Sequence, residues 1–195
     1  MASTSDDDQA PEASQFSSFE EATRFFQENG FLYQTIPEIG KLFTSLGPEA
    51  KTRDGFNKYF KDIVFHHQHL KQFLEPYTQN LPAYAISLGA DPTHYFTLTV
   101  DQEIHQGHGQ PIAVYIWREG TKLECAQGSP SGKFITQQWG NRMFLIPYPQ
   151  IKGQFKEIPA IMEGGGILIT HPRLGFLVNS GLSVGWVWPS SNNNA

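Results

Sequence analysis

Apolar positions along this chain change their period near residue 83, which divides the predicted elements into helices first and strands after. Ser18 stands three residues before Glu21, the spacing of a capping box. Phe19, Ala22, Phe25 and Phe26 then share one helical face until Gly30 stops the run. Pro37 opens a second helix, with Ile39, Leu42, Phe43 and Leu46 at i, i+3, i+4 and i+7 before Gly47. The longest helix is predicted over 54–75. Its stripe of Phe56, Phe60, Ile63, Val64, His67, Leu70 and Leu74 is core-facing, and Pro76 ends it. Beyond Ala83 come short β-rich runs broken by Gly, Pro and Asn, at 84–88, 95–100, 112–118, 143–146, 166–170, 174–178 and 182–188. Runs at that spacing predict a sandwich or jelly-roll barrel. A helical layer over one sheet makes the whole α+β. Residues 1–16 and 190–195 have the composition of disordered tails, which leaves 17–189 as a single domain.

Composition narrows the function classes. A net charge of −5 with 14 Lys+Arg and no basic run excludes a nucleic-acid surface. No stretch reaches the roughly 18 apolar residues of a membrane helix, and the N-terminus is acidic and polar, so a cytoplasmic protein with no membrane partner is expected. Cys125 is the single cysteine, which leaves no intrachain disulfide and no cysteine zinc site. It reads as an inert half-buried thiol.

Seven histidines raise metal and acid/base chemistry. His66 and His69 share a helical face, but the H-E-x-x-H pattern is absent and a partly exposed face is the simpler reading. An extended strand over 95–105 puts Thr97, Thr99, Asp101, Glu103 and His105 on one side, with Phe96, Leu98 and Val100 on the other. His108 lies between Gly107 and Gly109 in a predicted turn. Carboxylates beside imidazoles form either an acid/base line or half a metal site if they face a barrel interior, and a solvated edge if they do not. Residues 164–188, GGGILITHPRLGFLVNSGLSVGWVW, have the layout of a metal-site strand pair, with the first strand ending at His171-Pro172-Arg173.

Three stretches together resemble the phytanoyl-CoA dioxygenase-like superfamily of iron and 2-oxoglutarate-dependent oxygenases, in its natural-product-tailoring branch. Residues 22–32, ATRFFQENGFL, resemble its opening helix and turn. Residues 114–130, VYIWREGTKLECAQGSP, resemble the strand leading to its glycine-serine-histidine turn, and 164–180 its distal-ligand strand pair. The resemblance implies a double-stranded β-helix, or cupin-like jelly roll, with N-terminal helices packed on one sheet. It also implies an HxD pair, a distal histidine, and an Arg or Lys for the cosubstrate. In this chain the distal histidine falls at or near Phe176 and the cosubstrate cation near Trp186. No HxD string occurs, Pro130 follows Ser129, and no lysine or arginine follows Arg173. A short member without the metal triad, and with no cofactor, is therefore expected.

That expectation points to a metal-independent isomerase or cyclase acting on a hydrophobic natural-product intermediate in a barrel pocket. The acid/base candidates are Asp101, Glu103, His105, His108 and His171. The substrate-binding candidates are Tyr115, Trp117, Arg173, Phe176, Asn179 and Trp186, with Arg173 or Asn179 placed to polarise a carbonyl. Two alternatives stay open. One is an oxygenase with unusual ligands, Asp101 or Glu103 with His105 and His171. The other is a non-catalytic ligand-binding or partner subunit. A homodimer and a heterodimer with a related oxygenase are equally compatible with the sequence.

Overall fold

The computed structural model describes residues 9–78, 81–99 and 111–188. Helix α1 (Phe19–Asn29) begins as the capping pattern predicts: the Ser18 side chain accepts the Glu21 N–H, and Gly30 closes the helix in the left-handed region at φ 86°. A Cβ there would sit 2.5 Å from Pro130 Cγ, so the position needs glycine for space as well as for conformation. Strand β1 (Phe31–Thr35) follows at once, then helix α2 (Pro37–Leu46) with its proline in the first turn.

The long helix expected over 54–75 is two helices, α3 (Arg53–Asp62) and α4 (Gln68–Thr78), joined by a 3₁₀ turn at Val64–His66. The break begins at Ile63 (φ −129°, ψ −66°), where consecutive β-branched residues meet and Val64 must turn wholly into the core. Pro76 does not end α4 but lies within its last turn.

Order also begins earlier than Ser18. Residues 9–16, within the stretch that composition marks as a tail, lie as a strap along the domain. Its Ala10 N–H donates to Pro159 O, the Tyr33 hydroxyl donates to Ala10 O (2.8 Å), and Ser14 N–H donates to Gln34 Oε1 (2.7 Å). Gln34 Nε2 also donates to Glu12, and Ala13 and Phe16 are buried.

The remaining strands are β2 (Tyr84–Thr97), β3 (Ile112–Trp117), β4 (Thr121–Gln127), β5 (Gln137–Gln138), β6 (Phe144–Pro147), β7 (Lys156–Met162), β8 (Gly166–Thr170) and β9 (Phe176–Trp188). All paired strands run antiparallel, in the order β1-β8-β3-β9-β2-β6-β5, and β4 bridges β7 to β9. Two long strands make the architecture. The Leu182–Trp188 half of β9 pairs with β3, and its Phe176–Ser180 half pairs with β4, with a register shift beside Gly181. β2 shifts register at Gly89–Asp91 in the same way and continues to β6. Each therefore passes from one sheet to a second, and the sheets close on a shared interior.

Alternation along these strands sorts the core into three layers. Leu32, Val114, Ile116, Ile167, Ile169, Val184, Trp186 and Trp188 face the helices. Tyr33, Ala113, Tyr115, Trp117, Leu123, Cys125, Leu168, Phe176 and Val178 face the interior. Tyr95, Ala126, Ile146 and Leu177 back the second sheet. No helix of the described residues is long and apolar enough to cross a membrane.

Candidate functional site

The interior and its rim are built where three chain segments meet. The end of α1, the 3₁₀ turn Ser129–Ser131 and the turn 171–175 lock together by hydrogen bonds: His171 N–H to Gly30 O (2.8 Å), Gly128 N–H to Asn29 O (3.3 Å) and Gly175 N–H to Ser129 Oγ (2.8 Å). Gln127 Nε2 adds a bond to Asn29 Oδ1. The end of β2 is pinned to the same place, since Pro172 O accepts from Leu98 N (2.8 Å), Thr99 N (3.1 Å) and Thr97 Oγ1 (2.9 Å).

His171 is buried at this turn. Its Nδ1 accepts the Arg173 backbone N–H at 3.1 Å. A backbone amide can only donate, so the neutral ring carries its proton on Nε2. Burial, reinforced by the Arg173 guanidinium, lowers its pKa from 6.5 to about 4, which keeps the ring neutral at physiological pH. Arg173 is buried too, and its Nη2 donates to Gly132 O at 2.5 Å, across the rim from the interior cluster.

Of the residues singled out for substrate binding, Tyr115, Trp117 and Phe176 come together. All three point into the barrel and are wholly buried, with ring centres 6.1 Å apart for Tyr115–Trp117 and 5.2 Å for Tyr115–Phe176. Phe96 packs in the same interior cluster, its ring 6.3 Å from Phe176. The other two β9 candidates face away. Trp186 lies in the helix-facing layer against Phe56 (5.3 Å) and Phe60 (5.9 Å), and Asn179 is outside, donating to Glu124 Oε1 at 2.7 Å. The strand parity of β9 dictates both outcomes: 176, 178, 183 and 185 turn in, and 177, 179, 184 and 186 turn out.

Asp101, Glu103, His105 and His108 lie outside the described residues. β2 ends before them at Thr97, with Phe96 and Leu98 turned inward. Cys125 is an interior side chain whose thiol is pushed up by burial, so it stays protonated. Among the described residues no group of three His, Cys, Asp or Glu could hold a metal ion. Two interior or near-interior residues went unremarked in the sequence, Ser183 and Thr170. Only strand pairing shows which face they take.

Comparison with solved structures places this architecture. HygX from Streptomyces hygroscopicus with iron bound superposes with a TM-score of 0.51 at 12% identity, covering 87% of this chain and 86% of that one. The chain has the double-stranded β-helix fold. The non-heme alpha-ketoglutarate-dependent epimerase SnoN from nogalamycin biosynthesis is similar at a TM-score of 0.50 and 9% identity, with 90% and 87% covered. No protein-family model and no curated protein matches the chain. At these identities the likeness is one of β-helix geometry, and the chemistry has to come from the side chains.

Proposed function

We propose that this β-helix is a metal-independent tailoring enzyme of the phytanoyl-CoA dioxygenase-like type, isomerising or cyclising a hydrophobic natural-product intermediate inside the barrel. The observation that carries the reading is Phe176. It occupies the inward β9 position at which the resemblance calls for the distal iron ligand, and its ring, wedged between Phe96 and Tyr115, has no lone pair to give. His171 does not replace it. Its Nδ1 lone pair is engaged by Arg173 N–H, its Nε2 bears the proton, and a guanidinium lies beside it. The described residues therefore do not fit iron, and no step is routed through a metal.

The described residues can still shape, dry and polarise a substrate. The aromatic interior supports the reading by excluding water and favouring a folded apolar ligand, which brings reacting atoms together. The neutral His171 Nε2–H is a hydrogen-bond donor for a substrate carbonyl at the rim. Proton transfer is assigned to Asp101, Glu103, His105 and His108, the acid/base residues of the 100–110 segment.

The test is incubation of hydrophobic natural-product intermediates with the protein held in excess chelator. Product formation is expected to be unaffected by chelator, with no 2-oxoglutarate consumed. Chelator-sensitive turnover with one iron per chain would instead establish the oxygenase, and ligand binding without turnover would establish a binding protein.

A further inference from the structure

The inner faces of β3 and β9 hold two buried polar groups with no hydrogen-bond partner among the described residues, the Trp117 indole N–H and the Ser183 hydroxyl, while the Tyr115 hydroxyl has the Thr170 side chain beside it. Trp117 and Ser183 stand directly opposite each other in the β3/β9 register, both 0% exposed. Opposed residues on one face of an antiparallel pair have Cβ atoms about 5 Å apart, so the two side chains leave the sheet side by side. Leu88 flanks Ser183 on the β2 side. Tyr115, two residues before Trp117 on the same face, forms the adjoining wall. Its ring lies over Gly185, where a Cβ would meet Tyr115 Cδ1 at 2.6 Å, and it continues to Phe176. Gly185 thus leaves the space that the Tyr115 ring fills.

Nothing in apolar packing asks for a hydroxyl at 183 or an unpaired indole N–H at 117, and buried polar groups in folded proteins are almost always satisfied. Trp117 can only donate, so whatever satisfies it presents an acceptor. The acceptor is uncharged. The one buried cation among the described residues, Arg173, is engaged at the rim with Gly132 O, and an anion desolvated among these aromatic rings would have no counter-charge. A carbonyl oxygen, with two lone pairs, is able to accept from both donors.

We infer that Trp117 Nε1–H and Ser183 Oγ–H form an acceptor subsite for the ketone oxygen of an apolar substrate, with Tyr115 and Phe176 as its aromatic walls. This rests on the proposed reading of the interior as the substrate cavity, and the experiment separates the two. Calorimetry would compare 1-indanone with indane, which has the same bicyclic frame without the oxygen. Infrared spectroscopy would follow the bound ketone. Indanone should bind about tenfold more tightly than indane, with its carbonyl band shifted to lower wavenumber. Trp117→Phe and Ser183→Ala should each remove about five- to tenfold of that preference and part of the band shift, while changing indane affinity less than about twofold. Equal binding of both ligands would overturn the subsite and leave the apolar cavity standing, whereas binding of neither would overturn both. Ser183→Ala supplies a check without ligand. An unpaired hydroxyl can be removed with no loss of Tm, and a fall of several degrees would show that a structural water already satisfies it and overturn the subsite.

Discussion

Protonating His171 should destabilise the fold, and the size of the effect follows from its place in the 171–175 turn. The unfolded ring binds a proton near pH 6.5 and the folded ring only near pH 4, because burial and Arg173 both oppose the charge. Between those values the unfolded state holds more protons, so stability rises with pH across the window and is lost as pH falls through it. The full difference is about 2.5 pH units, or roughly 3.4 kcal/mol, of which about 1.8 kcal/mol disappears between pH 7 and pH 5. Urea unfolding at pH 7, 6 and 5 would measure it, with His171→Asn as reference. The Asn Oδ1 can still accept the Arg173 N–H and does not titrate. The parent should lose about 1.8 kcal/mol more than the variant. Nitrogen-15 NMR should show the Nε2–H tautomer throughout this range. Equal pH slopes for the two proteins, or a His171 that titrates near 6.5, would refute the buried neutral ring. With it would go the argument that His171 offers no lone pair to a metal.

Two further substitutions probe the layers separately. Trp186→Ala should cost about 3–5 kcal/mol by emptying the contact with Phe56 and Phe60, yet leave the affinity for 1-indanone, the probe of the proposed interior site, unchanged; an altered affinity would put Trp186 against the ligand. Deleting residues 1–16 should cost about 2–4 kcal/mol, a Tm fall on the order of 10 °C, because the Phe16 and Ala13 burial and the bonds to Pro159, Tyr33 and Gln34 are lost together. An unchanged Tm in a thermal scan would show that the strap contributes nothing.

The elements that were legible in the sequence had strong local signals. The Ser18 cap, the Gly30 stop and the Pro37 start are each decided within one helical turn, and the structure has all three. Elements whose identity depends on distant neighbours were not legible. β7 contains Pro159, which demotes a run in isolation, but β7 pairs only with β4 and is an edge where a missing N–H does little harm. Residues 84–88 and 95–100, and likewise 174–178 and 182–188, read as separate strands because Gly89 and Gly181 interrupt them. In the fold those interruptions are the places where one continuous strand crosses between sheets. The strap at 9–16 is polar and small, as a tail would be. Its order comes from Tyr33 and Gln34, which lie about twenty residues away.

The candidate site depended on the same long-range information in sharper form. The sequence places aromatic residues at 176, 186 and 188, yet β9 sends Phe176 into the barrel and Trp186 and Trp188 to the helices. The bend beside Gly181 sets that division. Between 178 and 183 the inward parity changes from even to odd numbers, so Val178 and Ser183 both face in across a five-residue step. Uninterrupted alternation from Phe176 would have turned Trp186 and Trp188 into the interior and Ser183 out to the helices. With the bend, the helical layer receives two indoles that fill the space over Phe56 and Phe60. The interior face receives a hydroxyl and a glycine, opposite Trp117 and Tyr115. The irregularity that hides the strand from a period-two reading of the sequence is thus what turns Ser183 to the interior beside Trp117, and an unbent β9 would turn that hydroxyl to the helices.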